Sequence, residues 1–262
     1  MYLGRIVCAG MTKDGKPCAA YRVSSRSFPN RSAKLINGKV AILPRAGFES
    51  DLSKNPYIAY NCIRLSGAVA LATNGSQTDP IIEKIAMGVP LRDAFASCLL
   101  AMDYEKDQLN TPRVAAAVDA KNGKLMLGII RCDAILVREY PCVPGELRFV
   151  STYTLDHPCG DNVDDKFDAA DADAICSYVI GGGRFADFEN AVTAASAVWD
   201  GLTVQFAAKD AYEAVPWPSC ATVCPGSTRN RGKRSFTSRD RSSFLPAPAP
   251  VKRASSRPAS PT

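Results

Sequence analysis

The chain is predicted to fold as an α+β layered sandwich, with antiparallel sheets inside and helices outside. Three observations carry this. Strand-like apolar runs dominate, and Asp-Gly and Asn-Gly turn signals separate several of them. The helical patterns fall in two blocks instead of alternating one by one with strands. No Gly-x-Gly-x-x-Gly run follows a strand, so a Rossmann dinucleotide site is rejected.

In chain order, strands are expected at residues 2–9, 18–25, 39–43, 58–65 and 68–73, with turns at Asp14-Gly15, Asn37-Gly38 and Asn74-Gly75. A helix over 79–87 brings Ile81, Ile82, Ile85 and Ala86 to helical spacing. The segment 91–102 is apolar on most faces, as a buried helix is. Strands follow at 113–118, 124–131, 134–140 and 146–155, the first two joined through Asn122-Gly123. Helices are expected at 169–178 and 185–199, on either side of Gly181-Gly182-Gly183, and a strand at 203–208 closes the body.

The formal charge of +6 over 262 residues belongs to the end of the chain. Residues 226–262 hold nine Lys or Arg against one acid, which leaves 23 basic and 25 acidic residues before them. The division expected is a folded body over 1–217 and a Ser-, Arg- and Pro-rich tail over 218–262, disordered because it lacks apolar residues to offset its ordering entropy. The tail reads as a solvated appendage, with weak RNA or polyanion binding as the sharper alternative. Ten scattered cysteines without a Cys-x-x-Cys pair, and no secretory leader pattern, read as reduced, mostly buried thiols of a cytoplasmic protein. No apolar run approaches the roughly 18 residues that span a bilayer.

Four polar groups stand out. The run 20–31 places Arg22, Arg26 and Arg31 around Ser24 within ten residues of a body that is slightly acidic. Alternation puts Arg22, Ser24 and Arg26 on one strand face and Tyr21, Val23 and Ser25 on the other. Guanidinium groups beside a hydroxyl suit a compact dianion such as a phosphate monoester. The second group is Tyr60-Asn61-Cys62-Ile63-Arg64, with Tyr60, Cys62 and Arg64 expected on one face. The third, Asp103-Tyr104-Glu105-Lys106-Asp107, sets carboxylates at a helix C-terminus, where the dipole disfavours them unless a cation or a substrate proton faces them. There Asp103 and Glu105 are expected to point the same way. The fourth is Asn110-Thr111-Pro112-Arg113.

The single histidine, His157, has no cluster with zinc-ligand spacing, and neither a nucleophile elbow nor a P-loop occurs. No metal site and no cofactor are expected.

Together these groups resemble the archaeal-type IMP cyclohydrolase family. The matching stretches are Met1-Tyr2-Leu3-Gly4-Arg5-Ile6, residues 20–31, 55–64, Thr73-Asn74-Gly75-Ser76, 99–107 and Asn110-Thr111-Pro112-Arg113. The resemblance is strong to about residue 155, weaker to about 215 and absent from the tail. It implies a four-layer α/β/β/α sandwich similar to the N-terminal nucleophile hydrolases. It also implies ring closure of 5-formamidoimidazole-4-carboxamide ribotide to IMP with loss of water, so the expected partner is a purine nucleotide. Tyr2 departs from the terminal Cys, Ser or Thr of true N-terminal nucleophile enzymes.

On that resemblance, Arg22, Arg26 and Arg31, with Ser24, would grip the 5′-phosphate, or one arginine would face the reacting centre. Tyr60 would donate to the formyl oxygen, its proton loss eased by an arginine. Asp103 and Glu105 would orient the carboxamide and take its proton, and Asn61, Asn74 and Arg113 would contact ribose and base. Two rivals stand beside this reading. One is an amidohydrolase of the same fold with Cys62 or Cys8 as nucleophile; the other is a non-enzymatic nucleotide- or RNA-binding protein. No membrane partner is expected, and a homo-oligomer is compatible with the sequence.

Overall fold

Among residues 1–212, which are those described by the structure, a computed structural model, thirteen strands pair into two antiparallel sheets. The expected boundary at 217 and the tail lie outside the described residues. In chain order the elements are β1 (Arg5–Met11), β2 (Pro17–Ser24), β3 (Arg31–Ile36), β4 (Lys39–Pro44), α1 (Asp51–Lys54), β5 (Tyr60–Ser66) and β6 (Val69–Thr73). Then come α2 (Thr78–Ala86), α3 (Leu91–Met102), β7 (Arg113–Asp119), β8 (Lys124–Ile130), β9 (Ile135–Pro141) and β10 (Glu146–Ser151). The last are β11 (Val163–Asp164), α4 (Ala172–Gly181), β12 (Ala191–Trp199) and β13 (Val204–Asp210). Short 3-10 turns occupy Pro56–Ile58 and Gly183–Asp187.

One sheet runs β11-β10-β1-β2-β12-β13 and the other β3-β4-β5-β6-β7-β8-β9. Val7, Tyr21 and Val23 of the first meet Ile42, Val114 and Leu127 of the second in one buried cluster. The period-two pleat turns the alternate residues outward, but these are buried as well. Ile6, Cys8 and Phe149 pack under Ile175, Cys176 and Val179 of α4, while Leu71, Ala115 and Met126 pack under Ile81, Ile82 and Phe95 of α2 and α3. Each large apolar side chain so buried contributes about 2 kcal/mol. Gly128 lets α3 come down on β8, since a Cβ there would stand 2.7 Å from the Phe95 ring.

Two segments depart from the sequence reading. Residues 191–199, expected in a helix, are β12, the strand between β2 and β13. Ala-rich composition favours a helix locally, but this segment is buried nearly throughout and its small side chains suit a strand pressed between α4 and the facing sheet. Arg31 is expected just past a turn, with no strand between residues 25 and 39, yet residues 31–36 form β3, joined to β4 through Asn37 and Gly38 at φ +48° and +74°. Positive φ at both positions is what a two-residue hairpin of that twist requires.

Candidate functional site

Arg5 at the start of β1, Arg31 at the start of β3 and the loop 103–111 after α3 converge on a narrow chamber of about 70 Å³. Tyr2, Tyr57 and Tyr153 add aromatic walls. The chamber shares Phe28, Tyr57, Asp107 and Leu109 with an outer cleft of about 520 Å³, whose rim carries Lys54 and Lys106. The outer cleft is in the size range of small-molecule sites; the chamber admits only one end of such a molecule.

Glu105 is the buried acid of the chamber, 2% exposed. Its Oε2 lies 3.7 Å from Arg5 Nη2 and its Oε1 3.7 Å from Arg113 Nη1. These distances are too long for hydrogen bonds, and Oε1 has no hydrogen-bond partner among the described residues. Burial pushes the Glu105 carboxyl up to about 7 against the pull of Arg5 and Arg113. The group is therefore poised between proton donor and acceptor near neutrality.

The backbone that delivers Glu105 is strained. Asp103 closes α3 at φ +57°, ψ 179°, a region that only glycine occupies without cost. That turn separates two carboxylates expected on one side. Asp103 faces solvent, pairing with Lys106 at 2.5 Å, while the Glu105 N–H donates to Thr111 O at 2.8 Å and its side chain turns inward. Asp107 reaches the chamber wall, but its oxygens accept from Leu109 N, Thr111 N and Thr111 Oγ1.

Arg113 is held by Asp103 O at 2.8 Å and Gln77 Oε1 at 3.1 Å. Asn74, buried, accepts from Val114 N and Gln77 and donates to Pro112 O. It fixes the exit of β6 beside β7, with both of its amide atoms already hydrogen-bonded within the fold.

Tyr60 begins β5 and shares a 2.6 Å hydrogen bond with Tyr21 of β2. Arg31 and Arg5 act electrostatically on both phenols and on Glu105. Burial raises the Tyr60 phenol above its ordinary value, outweighing both arginines. The expected easing of its proton loss is therefore reversed, and Tyr60 stays a hydroxyl at neutral pH. Arg31, 3% exposed, donates through Nε to Phe28 O and has no carboxylate within ion-pair distance among the described residues.

The other expected residues lie elsewhere. Arg22 does share a face with Ser24, but that face meets α4. The Arg22 guanidinium donates to Ser24 Oγ and to the carbonyls of Val179, Ile180, Phe185, Phe188 and Glu189. Its donors are consumed in tying down the end of α4, leaving neither Arg22 nor Ser24 for a phosphate. Arg26 is largely exposed, lying 4.1 Å over the Tyr2 ring and 3.4 Å from Glu189. Asn61 donates to both oxygens of Asp79 at the start of α2. Arg64 reaches the same carboxylate because a bulge opposite Val40 and Ala41 breaks the alternation of β5.

Arg5, Tyr57 and Tyr153 are site residues that the sequence pattern does not single out. Arg5 and Tyr57 sit inside matching stretches; Tyr153 is placed only by the three-dimensional fold, through the sharp backbone at Gly4 that packs on its ring. Cys62 and Cys8 are fully buried and burial pushes both thiols up, which is the wrong direction for a nucleophile. Among the described residues no three His, Cys, Asp or Glu side chains group as metal ligands, and no helix is long and apolar enough to cross a membrane.

Comparison with known proteins adds three findings. A family model described as IMP cyclohydrolase-like protein matches residues 2–202. A protein of Methanosphaera stadtmanae named IMP cyclohydrolase is 46% identical over 197 residues, covering 75% of this chain and 94% of that one. Proteins of the same name from Methanococcus aeolicus and Methanocella arvoryzae are 41% and 54% identical over 203 and 154 residues, covering 77% and 58% of this chain and 97% and 74% of theirs.

Proposed function

The chain belongs to the IMP cyclohydrolase-like family, and from that premise we propose that its chamber closes 5-formamidoimidazole-4-carboxamide ribotide to IMP with loss of water, in purine biosynthesis. The observation that carries the reading is a buried carboxyl near neutrality, unsaturated by hydrogen bonds, with two arginines that act both on it and on a buried phenol. A reaction that needs proton transfer and charge stabilisation, and no external nucleophile, is served by that set. The layering of two facing sheets between helices supports similarity to the N-terminal nucleophile hydrolase fold. The protein is proposed to work in the cytoplasm.

The substrate's carboxamide nitrogen attacks its own formyl carbon. Holding both groups in the chamber removes most of the entropic barrier. Glu105 takes a proton from the attacking nitrogen. Tyr60 donates to the formyl oxygen as charge develops there, and Arg31 with Arg5 stabilises that charge. Loss of a second proton from the formamido nitrogen, with departure of the carbinol oxygen as water, restores the conjugated ring. Because the chamber holds only the reacting end, the phosphate is assigned to the outer cleft, near Lys54 and Lys106.

The test follows absorbance as the purified full chain closes the formamido ribotide. Turnover at wild-type enzyme rates, roughly 1 per second or faster, is expected. No conversion beyond the uncatalysed rate would overturn the reading. A chain ending at residue 217 is expected to work as well as the whole.

A further inference from the structure

We infer that Tyr21 is a positioning residue for this site: its hydroxyl donates to the Tyr60 oxygen, so that the Tyr60 hydrogen is left free for a substrate oxygen. The inference rests on the proposed function only for its catalytic consequence.

Tyr21 lies in the middle of β2, opposite Val7 of β1 and Ala195 of β12, and faces the apolar cluster between the sheets. Phe would fill that space. The hydroxyl needs a reason, because a buried hydroxyl without a partner costs about 1–3 kcal/mol. Its one hydrogen-bond partner among the described residues is Tyr60, at 2.6 Å, with the rings 6.3 Å apart and tilted by 65°.

Geometry alone lets either oxygen donate. Burial decides. Tyr21 is 0% exposed and Tyr60 8% exposed. If Tyr60 donated to Tyr21, the Tyr21 hydrogen would have no acceptor at all. The charged groups that face the pair are Arg5 from β1 and Arg31 from β3, both donors only; the remaining titratable neighbour is Cys62, beyond Tyr60 on β5. With Tyr21 donating, its fully buried hydrogen has an acceptor, and the hydrogen of the less buried Tyr60 is the one left for a substrate oxygen. The Tyr60 oxygen then gains negative charge as it gives up its proton while still accepting from Tyr21, which makes it the stronger acid of the two.

Two readouts test this. A fluorinated tyrosine, whose phenol ionises at lower pH, is installed at position 60 and titrated by its tyrosinate absorbance, alone and with Tyr21→Phe. Loss of a donated hydrogen bond is expected to raise that midpoint by about one pH unit. An unchanged or lowered midpoint would overturn the inference, whether or not the protein turns over the ribotide. In parallel, Tyr21→Phe in the otherwise unaltered chain is expected to lower kcat about tenfold with KM unchanged and an ordinary melting transition. A kcat equal to wild type would count against the role. Absent turnover in the wild type would sink the cyclohydrolase reading and leave the titration to decide the hydrogen bond.

Discussion

The backbone of Gly75 runs directly behind Glu105: a Cβ at residue 75 would stand 3.4 Å from Glu105 Oε1, 2.7 Å from Arg113 Nη1 and 2.6 Å from Gln77 Oε1. The acid is thus seated by a missing side chain as much as by the arginines around it.

Gly75→Ala is therefore expected to push Arg113 and Gln77 aside and shift the carboxyl. Overpacking of this kind costs about 1–3 kcal/mol, which a folded body of this size survives. Turnover is expected to fall at least about tenfold while circular dichroism stays native, since small displacements of a catalytic group cost large factors in rate. Steady-state kinetics beside a thermal melt would check both halves.

Arg22 and Arg31 are expected to fail in different ways. Arg22→Ala strips the donors from five backbone carbonyls around the end of α4, and a loss of about 3 kcal/mol or more of stability is expected. Arg31→Ala leaves the melting transition nearly in place and removes most of the turnover. Urea unfolding and the absorbance assay on the two variants separate the roles.

Glu105 also leaves a signature in stability. Its folded carboxyl ionises near pH 7 instead of the ordinary 4.5, because burial disfavours the charge. The folded state holds a proton that the unfolded chain has lost between those values. This contribution is fully present below about pH 4.5 and is lost as pH rises through about 7, amounting to about 3 kcal/mol. In Glu105→Gln that slope is absent, so the stability of the variant relative to wild type should rise between pH 5 and 8. Denaturant melts at several pH values measure it.

Lys54 and Lys106 sit at the outer rim, each half or more exposed. Replacing both with Ala is expected to raise KM for the ribotide about tenfold and to leave kcat within a factor of about two. Equal effects on kcat and kcat/KM would place the phosphate elsewhere.

Much of the fold was legible in the sequence, and the misses share a cause. Hairpins at Asp14-Gly15 and Asn122-Gly123 and the helices α2 and α3 were readable because turn chemistry and helical spacing are local. So was the alternation of β2, with Arg22 opposite in sense to Tyr21. What alternation cannot tell is what each face meets: the arginine face went to α4 and the phenol face to the cluster between the sheets. Asp103 misled in the same way, since its positive φ broke the extended geometry that would have aligned it with Glu105. Asn61 was drawn off by Asp79, eighteen residues away. Arg5 and Tyr153 come together only when β1 and the end of β10 are paired, a contact across almost 150 residues.

The most direct measurement is the pH dependence of kcat/KM for ribotide closure in wild type and in Glu105→Gln. Wild type should climb about tenfold per pH unit up to a bend near 7 and then level off, as the carboxyl gains its charge. The variant should lose about a hundredfold or more at pH 8, along with the bend. A variant within about threefold of wild type that keeps the same bend would contradict the placement of the proton acceptor at residue 105.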